Sequence, residues 1–300
     1  MRLLFWGVAF CFLVTIQSVA APRMSGRLQV TAERAMQGHP GSLVVADVES
    51  GRILASVHSE IAAREVVSPG STLKPFVLIA LLDSGKLDPT ERLVCRRKLT
   101  IAGVEMDCTH PASLRLLDSR EAIAYSCNSY VAAAATRLSP DELVQALREA
   151  GIASPTGLIA NEAVGWVERP PSQDGLELEA LGTRGVETTP LELLQAYRTL
   201  ALRRRSGDLG KDESVFDGLQ DSVSFGMAHA AYVNNMKVAG KTGTAASDEG
   251  GPTHGLFAGY APADRPEIVV VVYVEHGRGL DAAGIAQPVF AEFARSRQPR

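Results

Sequence analysis

The stretch "VVSPGSTLKPFVLIALLDSGKL", residues 66 to 87, places Ser71 directly after a Pro-Gly turn and Lys74 three residues further on. On a helix that spacing puts both side chains on one face, about one turn apart. Pro75 lacks a backbone N–H and is tolerated only near a helix start, so the helix must begin close to Gly70 or Ser71. A serine there feels the positive end of the helix dipole, which favours negative charge developing on it. A lysine can serve as its base when burial or a neighbouring cation lowers the ammonium pKa, which an arginine cannot do. The chain has six lysines against 24 arginines, so lysine is not its default cation. Taken alone, the pair reads more simply as a helix cap followed by a surface lysine.

Two further stretches have the same character. Ser126-Cys127-Asn128 interrupts an alanine-rich helical run. Serine and asparagine compete for backbone groups inside a helix, so they need partners there. In "VAGKTGTA", Lys241, Thr242, Gly243 and Thr244 lie on a strand. Glycine in a strand marks close approach of another backbone or of a ligand. A cation and two hydroxyls beside that gap can hold an anion. A tight interhelical turn and a glycine-rich strand end are the plain alternatives.

The elements that must position these residues follow from periodicity. "SLVVADVESGRILASV", residues 42 to 57, predicts a hairpin around Glu49-Ser50-Gly51. Leu73 to Leu82 is helical, with Gly85 as its C-terminal stop. "SPDELVQALREAG" and "TPLELLQAYRTLALRR" each open with a hydroxyl N-cap and a proline at the first helical position. Near the end, "HGLFAGYAPADRPEIVVVVYVEHG" predicts a strand, a turn over Pro262 to Pro266, and a buried strand from Ile268 to Val274. A last helix is expected over Gln287 to Ala294. The fold class expected is α/β (α+β): an antiparallel sheet built from both chain ends and flanked by helices. A helical lobe, about 67–235, is inserted, and the site lies between them. Residues 41–300 then form one domain, preceded by a short polar arm, 21–40.

The 300 residues carry a net charge of −4, which gives no sign of nucleic-acid binding. The basic run Arg203 to Arg205 reads as a solvated helix end. "MRLLFWGVAFCFLVTIQSVAAPR" has the layout of a secretory signal, residues 1–20, with cleavage after Ala20 or Ala21. The expected location is therefore extracytoplasmic, periplasmic in a two-membrane cell, whether the segment is cleaved or kept as an anchor. Phe10 is too large for Cys11 to be a lipidation site. In an oxidising compartment Cys95 and Cys108 can pair across a short loop, but Cys95, Cys108 and Cys127 allow three pairings. No linear metal-ligand spacing appears, so no metal and no cofactor is expected.

Ser-x-x-Lys, Ser-x-Asn and Lys-Thr-Gly, in this order, are a signature of penicillin-binding proteins and serine β-lactamases. The chain resembles that superfamily. "VVADVESGRILA", "SPGSTLKPF", "AIAYSCNSY", "GVETTPLELLQAY" and "VAGKTGTA" are similar, element by element, to transpeptidase domains of high-molecular-weight penicillin-binding proteins. The resemblance implies that Ser71 is the nucleophile, Lys74 its base and Ser126 a proton relay to the leaving amine. Asn128 would hold Lys74 and the substrate amide. Lys241, Thr242 and Thr244, with Gly243 giving access, would bind the terminal carboxylate of a D-Ala-D-Ala stem peptide or of a β-lactam. The oxyanion hole would be the N–H groups of Ser71 and Thr244. Cys127, the variable middle position of its motif, is given a packing role.

The implied activity is D,D-transpeptidation on peptidoglycan stem peptides, with β-lactams as inhibitors and cell-wall synthesis proteins as further partners. The alternatives are hydrolysis, as a D,D-carboxypeptidase or β-lactamase, and a non-catalytic β-lactam sensor. No Glu-x-x-Leu-Asn setting lies between Asn128 and Lys241, where Glu177 and Glu179 read as surface charges. Class D lactamases have an aliphatic residue in place of Asn128. Little chain separates the leader from the first hairpin, so the expectation is a transpeptidase domain standing alone.

Overall fold

The computed structural model describes residues 20–246 and 251–297. The predicted leader lies outside the described residues up to Ala20. That residue opens α1 (Ala20–Met36), where the sequence predicted a polar arm. Leu28, Ala32 and Met36, spaced by four, form one buried stripe, and that stripe makes the arm a docked helix.

The predicted hairpin is present as β1 (Gly41–Asp47) and β2 (Ile53–Val57), turned where the Ser50 N–H donates to the Asp47 carboxylate at 2.7 Å. A short helix, α2 (Ser59–Arg64), leads to the Ser71 turn, and α3 (Lys74–Asp83) follows. Two small ladders come next. β3 (Leu93–Val94) pairs with β6 (Leu116–Leu117), enclosing the pair β4 (Thr100–Ile101) and β5 (Val104–Glu105). The lobe continues through α4 (Ser119–Ala124), α5 (Asn128–Ala135) and α6 (Pro140–Glu149). Then come β7 (Trp166–Val167), α7 (Gln173–Ala180), β8 (Val186–Glu187), α8 (Pro190–Ser206) and α9 (Glu213–Ser224).

The predicted Ser-Pro and Thr-Pro helix starts are both capping boxes, Ser139 with Glu142 and Thr189 with Glu192. Glu192 does more than cap. It is fully buried and also accepts the N–H groups of Ser154 and Gly165, at 2.9 and 3.0 Å.

The chain returns to the sheet with β9 (Ala239–Ala246), β10 (Thr253–Ala261) and β11 (Ile268–Val274), and closes with α10 (Gly279–Ser296). That helix starts well before the predicted Gln287, and its first turns, mostly glycine and alanine, show little apolar periodicity. The sheet order is β2-β1-β11-β10-β9, antiparallel throughout, so β11 joins the N-terminal hairpin to the C-terminal strands. Val269 and Val271 face the helical lobe, while Val270 and Val272 face α1 and α10. Burial on both faces explains the unbroken run "IVVVVYV". Each such side chain contributes about 1.5–3 kcal/mol relative to exposure.

Candidate active site

Ser71 lies in a tight turn, Gly70–Leu73, that runs straight into α3, as the Pro-Gly start predicted. The turn is clasped from three sides. Gly70 N–H donates to the Gly182 carbonyl at 2.8 Å, and His254 Nε2 donates to the Ser68 carbonyl at 2.8 Å. From α8, the buried Tyr197 hydroxyl donates to the Thr72 carbonyl at 2.9 Å. Gly182 has φ 69°, and a Cβ there would lie 2.2 Å from the Gly70 oxygen. Ser71 itself stays half-buried at the mouth of this turn.

Lys74 heads α3 one turn after Ser71 and is fully buried. Its Nζ donates to the Ser126 carbonyl at 2.8 Å, to Ser126 Oγ at 3.2 Å and to Asn128 Oδ1. Burial brings its ammonium down to about 8. The acceptors sit where the alanine-rich run breaks between α4 and α5. Ser126 takes a left-handed φ of 53°, a conformation that costs a serine about 1–3 kcal/mol. The break turns the Ser126 carbonyl and hydroxyl and the Asn128 amide onto one cation. Asn128 is fixed in turn, since its Nδ2 donates to the Met106 carbonyl at 3.0 Å.

Lys241 comes from the opposite side of the cleft, on β9. Its Nζ donates to Ser126 Oγ at 2.8 Å and to the Thr242 carbonyl at 3.1 Å. Burial, and then the charge of Lys74, hold this lysine well below its ordinary value. β9 is an edge strand of the sheet, so its outer side is open to an extended ligand. Gly243 allows β9 to reach the Ser71 turn, because a Cβ there would lie 2.5 Å from the Pro69 oxygen. Thr242 and Thr244 point to the other side, toward the start of α10. There the exposed Thr244 hydroxyl accepts the Gly279 N–H at 2.9 Å and keeps its own hydrogen for a ligand.

Lys74, Ser126, Asn128 and Lys241 thus form one hydrogen-bonded cluster, with Ser71 one turn from Lys74. Gly182, Tyr197, His254 and Met106 carry no sequence signal, since each makes a backbone hydrogen bond to a residue distant in sequence. One expectation is corrected, and the open cysteine pairing is answered. Glu179 is not a surface charge: it is buried on α7, its Oε1 has no hydrogen-bond partner, and burial pushes its carboxyl up to about 8. Cys95 and Cys108 form no disulfide, and all three cysteines are buried free thiols. The fold instead gathers them around Cys127, whose Sγ lies 3.7 Å from that of Cys108.

The family model described as penicillin binding protein transpeptidase domain matches residues 41–295. The peptidoglycan D,D-transpeptidase MrdA of Acinetobacter baumannii is 26% identical, over 90% of this chain and 53% of that protein. The probable peptidoglycan D,D-transpeptidase PenA of Neisseria flavescens is 27% identical, over 84% of this chain and 73% of that protein. The chain therefore spans about half the length of the Acinetobacter relative. Among solved structures, the transpeptidase domain of Burkholderia pseudomallei penicillin-binding protein 3 superposes with a TM-score of 0.80 at 19% identity. That match covers 94% of this chain and 97% of that one, and shows the fold.

Proposed function

The chain belongs to the penicillin-binding protein transpeptidase domain family, and on that premise we propose that it is a serine D,D-transpeptidase acting on peptidoglycan stem peptides. One observation carries the reading: a fully buried Lys74, one turn after Ser71, bonded to both polar residues of the Ser126–Asn128 break.

In this mechanism Ser71 Oγ attacks the carbonyl of the penultimate D-alanine and neutral Lys74 Nζ takes its proton. The negative charge on the substrate oxygen is met by the N–H groups of Ser71 and Thr244. Their nearness is supported by the packing of Gly70 against Thr244, where a Cβ on Gly70 would lie 3.2 Å from the Thr244 nitrogen. Losing one such donor typically costs roughly 10²–10³ in rate. As the C–N bond breaks, Ser126 Oγ passes a proton to the departing amine and is reprotonated from a lysine beside it. The acyl ester on Ser71 is then attacked by an amino group of a second stem peptide, which restores the Ser71 hydroxyl. Lys241 and the hydroxyls of Thr242 and Thr244 receive the terminal carboxylate during the first step. With a β-lactam the same attack opens the ring, and the leaving nitrogen stays tethered.

Such a substrate lies outside the cytoplasm, which agrees with export through the apolar N-terminal segment. Among the described residues no helix is long and apolar enough to cross a membrane.

Intact mass after mixing with benzylpenicillin, beside Ser71→Ala, tests the proposal. A lasting adduct on the wild-type chain that is absent from the variant is expected. An adduct that disappears within seconds as hydrolysed drug accumulates would make the protein a lactamase. No adduct would overturn the acylation mechanism.

A further inference from the structure

Four side chains that the mechanism does not use meet directly behind the Ser126–Asn128 break. The Sγ atoms of Cys95, Cys108 and Cys127 and a ring nitrogen of His110 all lie within 4.8 Å of one another, and all four residues are buried. Cys127 is the residue between Ser126 and Asn128. Cys95 follows β3, and Cys108 and His110 follow β5, so with Cys127 the cluster joins three separate segments of the lobe.

The details are those of a ligand set. His110 Nδ1 pairs with the Pro111 carbonyl at 3.2 Å, which requires the proton on Nδ1 and leaves a lone pair on Nε2. That Nε2 is buried without a hydrogen-bond partner. A ligating histidine characteristically donates its other N–H to a carbonyl in this way. The Arg97 N–H donates to Cys95 Sγ at 3.3 Å and the Ser129 N–H to Cys108 Sγ at 3.4 Å, contacts that favour sulfur as thiolate. The 3.7 Å between the sulfurs of Cys108 and Cys127 is far from the roughly 2.05 Å of a disulfide. It is close to the edge, about 3.8 Å, of a tetrahedron with metal–sulfur bonds of about 2.3 Å. Three thiolates and an imidazole select zinc over the hard cations calcium and magnesium.

We propose that Cys95, Cys108, His110 and Cys127 bind one Zn²⁺ ion in a closed tetrahedral site that braces the Ser126–Asn128 break. On binding, the three thiols lose their protons and the Nε2 lone pair completes the set, giving a site of net charge −1. Four protein ligands leave no open position for water, so the ion is structural. It ties Cys127 to the segment whose Met106 carbonyl already holds Asn128. The bracing role rests on the reading of Ser126 and Asn128 given above, while metal binding does not. The expectation of no metal, and of mere packing for Cys127, is revised here. Linear spacing hides the site because its ligands come from three places that only the fold joins.

The test measures metal content of the purified full chain, equilibrated with zinc and passed over a chelating resin. About one zinc per chain is expected. Replacement by Co²⁺ should give the visible absorption of tetrahedral cobalt bound to thiolate. Cys95→Ser and His110→Ala should each weaken zinc binding by at least about tenfold. Zinc-free chain, or a Cys108–Cys127 disulfide detected as a loss of two hydrogens, overturns the site, and the wild-type stoichiometry and cobalt spectrum decide this even if a variant fails to fold. Removing zinc with a chelator should slow benzylpenicillin acylation reversibly. An unchanged rate overturns the brace. A zinc-loaded chain that never acylates overturns the proposed function and leaves the metal site standing.

Discussion

Lys74 and Lys241 converge on one oxygen: both ammonium groups donate to Ser126 Oγ, at 3.2 and 2.8 Å. Two buried cations on one acceptor repel, so their protons are coupled and the pair resists carrying both charges. In the proposed mechanism a carboxylate arriving beside Lys241 would favour the proton on that lysine and leave Lys74 as the neutral base. On that proposal, substrate recognition and base activation are one electrostatic event.

The rate of acylation by benzylpenicillin should follow the neutral form of Lys74. Burial holds that group at about 8, so the rate should fall about tenfold per pH unit below that value and level off above it. Stopped-flow acylation across pH checks this. Lys74→Arg, whose side chain keeps its proton at every accessible pH, should stay inactive even in alkali.

Lys241→Ala should weaken acylation by substrates with a free terminal carboxylate. A hydrogen bond to a charged group is worth about 1.5–3 kcal/mol, or roughly 10- to 160-fold in kcat/KM. The loss should be clearly smaller for the same substrate with its carboxylate amidated. Equal losses would mean that Lys241 acts through Ser126 alone.

Gly182→Ala should destabilise the fold by about 2–3 kcal/mol, because it combines a left-handed φ of 69° with a Cβ 2.2 Å from the Gly70 oxygen. Gly85 has the same φ of 69° but open space around it, so Gly85→Ala should cost only about 1 kcal/mol. Urea unfolding of the two variants separates steric clash from backbone strain.

Glu179 should make stability fall as pH rises. Its folded carboxyl is pushed up to about 8 from the ordinary 4.5. Between those values the unfolded chain ionises while the folded one keeps its proton, so the unfolded state gains. Glu179→Gln should therefore be more stable than wild type by roughly 1–3 kcal/mol above pH 8 and nearly equal below pH 4.5. Thermal melts at both ends of the range measure the difference.

The sequence made local features legible and hid those that depend on distance. Pro75 fixed where α3 begins, Thr189-Pro190 announced α8, and the valine run announced β11. Ser126 and Asn128 were conspicuous because serine and asparagine are poor residues inside a helix. Glu179 is misjudged because its helix also carries Asp174 and Glu177, and the sequence gives no sign of which acid a neighbour will cover. The convergence of Cys95, Cys108 and Cys127 on His110 is hidden for a related reason. It depends on how the two small ladders fold back against α5, and no linear spacing encodes that.

The central position of β11 has a kinetic consequence. Gly41 pairs with Val274, so β11 completes the sheet against a segment that is made long before it. Contacts this far apart in sequence are costly to close and slow to form. The lobe carrying Ser71 and Lys74 is made before the strand carrying Lys241. A partly made chain therefore holds Ser71, the proposed nucleophile, without the opposite wall of the cleft. On the proposed mechanism, acylation competence should appear late, as one event with sheet closure.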